Sequence, residues 1–179
     1  MSETLLSGLP QTICDEVSFF LPDLKECKPH AGKFSLEELK KRGLAAPALL
    51  VSVLGAKQDD TYSGGAHAFM LQMAGYVVTK GGAVRDIAAA NICQVLLSFI
   101  PGQRWGQNAI GEARNVRMHT LVSSKTKNHA VSLWAVTWDQ PISFCQPEDQ
   151  PLGAALYVSQ APMIGADHED KYELVGGQG

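Results

Sequence analysis

Residues 48–54 read ALLVSVL, an apolar run of strand length that begins after Pro47 and ends at Gly55. A continuous apolar run this short, bounded by turn residues, is typical of a strand that is buried on both faces of a sheet. We therefore expect it to lie centrally in a sheet, with the other elements arranged around it.

Three further strands are predicted. Residues 68–79 form a second long run before Gly81 and Gly82, and Gly75 within it is a candidate β-bulge. Residues 114–123 and 130–138 flank the polar segment 124–128, which predicts a β-hairpin whose second strand ends at Pro141.

Helices are predicted at three places. The first segment favours one or two short pieces, the better of them from Pro10 to about Phe20, and the spacing of Ser35 and Glu38 predicts a capped short helix. The segment 83–100 predicts an amphipathic helix, whose apolar face consists of Val84, Ala88, Ile92, Val95, Leu96 and Phe99.

The order of these elements lacks the regular strand–helix alternation of a parallel sheet. It predicts an α+β fold, with a mixed or mainly antiparallel sheet and helices packed on one face in two layers. We expect a single domain over residues 1–158, including a strand at 154–158, and an extended or mobile tail over 159–179.

Composition disfavours several classes of function, although a local basic stripe stays compatible with it. The net charge of −3 leaves no excess of cations for sequence-independent binding to nucleic acid, and no apolar run approaches the roughly 20 residues of a membrane span. The N-terminus lacks the pattern of a secretory signal. Charged residues make up 18% of the chain, against about 25% in an average domain, so we expect some outer surface to contact protein.

No catalytic or metal site is predicted. The four cysteines form no C-x-x-C pair and are interpreted as buried thiols in a reducing cytoplasm, and the five histidines have no helical i, i+4 partner. A nucleophilic pair of Cys93 with His67 or His119 is the remaining enzymatic alternative. Its weakness is that a catalytic thiol needs an accessible, electropositive place, whereas Cys93 lies within a core-forming helix. We expect no enzymatic activity and no cofactor.

Arg104, Trp105, Arg114 and Arg117 form the densest grouping of aromatic and basic residues. A solvated strand edge and loop is one interpretation. Contact with a neighbouring subunit is the other, because Arg and Trp are enriched at interface hot spots.

Four stretches carry a resemblance to a known family: residues 21–24 (LPDL), 34–39 (FSLEEL), 46–51 (APALLV) and 131–138 (VSLWAVTW). Over about residues 5–140 the chain resembles small structural proteins of the tail-terminator type from Mu-like contractile-tailed phages and prophages. The resemblance implies a non-enzymatic subunit of a hexameric ring that caps the finished tail tube before the head joins.

The same resemblance implies partners and a location. The partners are further copies of the chain, the tail tube and the head-completion proteins, and DNA is contacted only non-specifically in the ring lumen. Assembly takes place in the bacterial cytoplasm, and the ring stays in the virion tail of an active phage. We expect Arg104, Trp105, Arg114 and Arg117 at the oligomer interface or in the lumen. The alternatives are another small head–tail connector or tube-associated protein, or a small Cys/His hydrolase.

Overall fold

The computed structural model describes residues 5–34, 43–61, 67–81, 84–126, 129–144, 157–158, 166–171 and 173–174. The chain divides into two compact units, Met1–Cys145 and Gln146–Gly179. The boundary between the units lies after Cys145, whereas the sequence predicts a single domain over residues 1–158. The helix predicted after Ser35 lies outside the described residues.

The first unit contains a five-stranded sheet and, among its described residues, two α-helices. The helices are α1 (Leu5–Phe20) and α2 (Arg85–Phe99), and the strands are β1 (Glu26–Pro29), β2 (Ala48–Thr61), β3 (His67–Lys80), β4 (Arg114–Thr126) and β5 (His129–Phe144). The strand order is β1-β2-β3-β5-β4, with β1 parallel to β2 and every other pair antiparallel. The predicted α+β class, with a mixed sheet and helices packed on it, is confirmed.

The apolar run 48–54 forms the first half of β2, which has a neighbour on each side, although β3 takes the middle position. Leu49 packs into the core between the sheet and the helices, and Leu50 packs into a second core on the opposite face. Both side chains are fully buried, so the prediction of a strand buried on both faces is confirmed.

Gly75 is not a bulge, contrary to prediction, because it pairs in unbroken register with Val51 of β2 and Val136 of β5. Side chains of the neighbouring strands leave little space for a larger residue there. A Cβ atom at this position would lie 3.2 Å from Leu49 Cδ1 and 3.7 Å from Trp138 Cζ3. The register of β2 shifts elsewhere, between Val53 and Gly55 and between Gln58 and Thr61.

Pro141 does not end β5, which continues to Phe144. The carbonyl of Pro141 accepts a hydrogen bond of 2.9 Å from the Gly111 N–H, and the Ser143 N–H donates to the Ala109 carbonyl. Because the N–H and C=O of one strand residue point to the same side, the N–H that Pro141 lacks faces residues 109–111. The ladder between β5 and β3 therefore loses no hydrogen bond.

The helix α1 is one continuous element through Pro10, rather than two pieces. Pro10 deprives the Leu6 carbonyl of its intrahelical donor, but Leu6 is exposed, so water can take the donor's place. The inner face of α1 contributes Leu9, Ile13 and Val17 to the core.

The buried face of α2 differs from the predicted one. The buried positions are Arg85, Ala89, Cys93 and Leu96, whereas Val84 and Ile87 are exposed and Ile92 is only partly buried. Apolar side chains lie on most sides of this helix, so its 3.6-residue period does not select one face for burial. The contacts with β3, β4 and β5 determine which face is buried.

The described part of the second unit consists of a short antiparallel pair and a 3₁₀ helix. The pair is β6 (Tyr157–Val158) and β7 (Glu173–Leu174), and the 3₁₀ helix spans Ala166–Lys171. Of the strand predicted at 154–158, only Tyr157 and Val158 are described, and both are in β6.

Candidate functional site

Trp105 is a core residue, with 1% of its surface exposed, so the expectation of an exposed aromatic is wrong. Its indole N–H donates a hydrogen bond of 2.7 Å to Gln140 Oε1, and its ring packs at centroid distances of 5.9 Å from Phe99 and 6.4 Å from Trp138. The grouping of Trp105 with three arginines suggested an exposed position. The loop that carries Trp105 instead folds back, with the Ala113 N–H donating to the Gln103 carbonyl, and inserts Trp105 between α2 and β5.

The three predicted arginines are exposed, and two of them lie around Asp59. Arg114 Nη2 lies 3.6 Å from Asp59 Oδ2, and Arg104 lines a cleft of about 230 Å³ that also contains Asp59. Both members of the Arg114–Asp59 pair are about half exposed, so the pair contributes little to stability. Arg117 lies apart, in a second cleft of about 350 Å³ with Gln72 and other polar side chains.

β4 is an edge strand of 13 residues, and among the described residues it pairs only with β5. Two register shifts interrupt it, between Arg114 and Arg117 and between Thr120 and Val122. Such bulges shorten the regular edge that another strand can join. Met118 and Leu121 also have exposed side chains on this interrupted edge, which carries Arg117 and His119 as well. We call the exposed side chains of residues 114–121 the basic edge.

The C-terminal end of α1 carries an aromatic surface that the sequence analysis missed. Phe19 is 83% exposed and Phe20 is 55% exposed, and the ring of Phe20 lies 4.2 Å from that of Phe99 on α2. Exposed carboxylates flank these rings, since Asp15 precedes Phe19 by one helical turn and Asp23 follows in the next turn of the chain. We call Asp15, Phe19, Phe20 and Asp23 the acidic aromatic surface.

A sequence signal for this surface did exist. The inner face of α1 follows a four-residue series that starts at Leu5 and ends at Leu21, and neither Phe19 nor Phe20 falls on it. Two large aromatic residues out of phase with a helix's core stripe predict an exposed apolar patch, and such patches mark contact sites.

The geometry does not support a Cys93/His nucleophilic pair. Cys93 is fully buried, and burial raises the pKa of its thiol to about 11, so the thiol is protonated at neutral pH. His119 stands opposite Ala135 of β5, and Ala135 belongs to the core on the sheet face that α2 does not cover. Within the described residues no group of three His, Cys, Asp or Glu side chains is arranged to hold a metal ion. Neither described helix has the length and apolar content to cross a membrane.

Comparison with known proteins gives no family assignment, because no protein-family model and no curated protein matches the chain. The function therefore has to be argued from the residues and from the two exposed surfaces.

Proposed function

We propose that this protein is a ring-forming structural protein of a Mu-like contractile-tailed phage or prophage, and that the ring caps the tail tube as a tail terminator. The phage assignment rests on the resemblance of residues 21–24, 34–39, 46–51 and 131–138. The ring rests on one structural observation: the first unit carries two different exposed surfaces of opposite charge, the basic edge and the acidic aromatic surface.

These two surfaces lie toward opposite edges of the sheet. α1 packs over β1 and β2, whereas β4 forms the other edge, so about 19 Å of sheet separates β1 from β4 at the usual strand spacing. A contact between unlike surfaces is heterologous, and repeated head-to-tail contacts produce a ring when the rotation closes. A ring of six copies is the number that the family resemblance implies.

The chemistry of the two surfaces supports mutual contact. Burying Phe19 or Phe20 against Met118 and Leu121 would stabilise the contact by roughly 1.5–3 kcal/mol for each aromatic side chain. Arginines on one side and aspartates on the other would fix the register and accelerate association. The two bulges in β4 favour contact through side chains rather than through a long shared β-ladder.

Charge reversal tests this contact. The double variant Arg114→Glu/Arg117→Glu should lower the assembly state while its circular dichroism stays unchanged, because both side chains are exposed. The matched control is Lys33→Glu/Lys57→Glu, which changes the net charge equally at exposed positions outside both surfaces. Adding Asp15→Lys and Asp23→Lys to the arginine variant should restore assembly by exchanging the two charges.

If the arginine variant dissociates and the added aspartate substitutions do not restore assembly, the surface that contacts the basic edge is not the one on α1. An arginine variant that assembles like the wild type would remove the basic edge from the interface. The tail role has its own test, since a tail terminator added to purified tail tubes should appear in electron micrographs at one tube end only. Binding along the tube would indicate a tube-associated protein instead.

A further inference from the structure

Two cysteines from neighbouring elements face each other in the first unit. Cys27 of β1 pairs with Leu49 in the parallel ladder, and Leu49 points into the core that α1 covers, so the Cys27 side chain points toward α1. Cys14 is buried on the inner face of α1 and belongs to the same core. The two thiols are free and hydrogen-bonded to each other.

The two thiols differ in access and in acidity. Cys14 is fully buried, whereas Cys27 is only partly buried, on an edge strand. The hydrogen bond from the Cys14 thiol lowers the pKa of Cys27, burial opposes this effect, and the neighbouring Ser18 side chain, whose hydroxyl donates to the Cys14 carbonyl, lowers the pKa further. The same hydrogen bond and burial raise the pKa of Cys14. Cys27 is thus the thiol that ionises first and that a reagent can reach.

We propose that Cys14 and Cys27 are a reversible disulfide site, at which Cys27 reacts first with a low-molecular-weight disulfide and Cys14 completes the link. The Cys27 thiolate attacks one sulfur of the small disulfide, forms a mixed disulfide and expels the first small thiolate. Cys14 then gives up its proton, its sulfur attacks Cys27 Sγ, and the second small thiolate leaves. The two protein thiols are oxidised, and one small disulfide is reduced to two small thiols.

The link would tie α1 to the edge strand β1 and close the chain between residues 14 and 27. A loop of this length restricts the unfolded chain, so the melting temperature should rise on oxidation by roughly 5–10 °C for a protein of this size. This inference does not depend on the ring or on the phage assignment.

Oxidised glutathione is the probe, applied to the full folded chain and followed by non-reducing peptide mass mapping. The wild type should lose two hydrogens and yield a linked Cys14–Cys27 peptide pair. The variant Cys14→Ala should instead retain glutathione on Cys27, whereas Cys27→Ala should remain unmodified at Cys14. The matched control Cys93→Ala, which removes a different buried thiol of the core, should form the same link as the wild type.

Three results would overturn the proposal: a glutathione adduct that persists on Cys27 of the wild type, a link that joins either thiol to Cys93 or Cys145, or no reaction at Cys27 in Cys14→Ala. Circular dichroism shows whether each variant is folded. Cys14→Ser replaces Cys14→Ala if the alanine variant does not fold.

Discussion

Gln140 is a fully buried amide on β5 whose hydrogen-bonding capacity is completely used. Its Oε1 accepts from the indole N–H of Trp105 at 2.7 Å and from that of Trp138 at 3.1 Å. Its Nε2 donates to the carbonyl of Gln103 at 3.1 Å and to that of Gly111 at 2.6 Å. The substitution Gln140→Leu keeps a similar volume but leaves four polar groups without this partner.

The expected loss of stability follows from those four groups. A buried donor or acceptor without a partner costs about 1–3 kcal/mol. The two indole N–H groups belong to fully buried tryptophans, whereas Gln103 and Gly111 are only partly buried and their carbonyls can recover water. We therefore expect Gln140→Leu to lower the free energy of unfolding by roughly 3–5 kcal/mol, a large part of the 5–15 kcal/mol that is typical of a domain.

Urea unfolding followed by circular dichroism measures this loss. The control is Gln72→Leu on β3, where the side chain is exposed and the expected change is within about 0.5 kcal/mol. The midpoint of Gln140→Leu should fall with little change in the denaturant slope. A free energy of unfolding within about 1 kcal/mol of the wild type would refute the assignment of Gln140 as the anchor of the Trp105 loop.

Three further predictions concern the core. Ala89→Asp, at a fully buried position of α2, should lower the free energy of unfolding by several kcal/mol in urea unfolding. Ile92→Asp, at a partly buried position, should lower it by roughly 1–3 kcal/mol. The reverse order would support the buried face that the sequence predicts. Gly75→Ala should lower the free energy of unfolding by about 1–3 kcal/mol, because the new Cβ atom would press on the buried Leu49 side chain. Gly55→Ala is the control and should be nearly neutral, because no atom lies within 4 Å of its Cβ position. Equal effects of the two substitutions would contradict the contact between residue 75 and Leu49. Burial raises the pKa of Cys93 from 9.0 to about 11, so the folded state holds this proton to higher pH than the unfolded chain does. The stability that this thiol contributes is complete below the unfolded pKa and is lost as the pH rises through the folded pKa. The difference in free energy of unfolding between wild type and Cys93→Ala should therefore shrink by roughly 2–3 kcal/mol over this pH range. A difference that stays constant with pH in urea unfolding would contradict the raised pKa.

The sequence predicted those elements whose signal is local. β2, β3, the hairpin of β4 and β5, and α2 all have apolar runs or periods of the right length, and each is present. β1 was not predicted, because residues 26–29 read ECKP, with no alternation of apolar side chains. It is a strand only because it pairs with β2, and such a pairing leaves no local pattern.

The candidate site was predicted less well, because exposure depends on tertiary contacts. Arg114 and Arg117 are exposed as the polar alternation indicates, but the burial of Trp105 depends on Gln140, 35 positions later in the chain. Phe19 and Phe20 were attributed to the end of a helix and were not considered as a surface. Their position out of phase with the core stripe of α1 indicates exposure, but the contact of Phe20 with Phe99 depends on how α1 and α2 pack together.

The mass of the wild-type protein in solution, measured by light scattering after size exclusion, tests the central proposal most directly. A closed ring predicts one species that does not grow with concentration, with a mass near six times the 19.2 kDa of one chain. A single species at 19.2 kDa, unchanged up to the highest concentration that stays in solution, would contradict the ring and with it the proposed function.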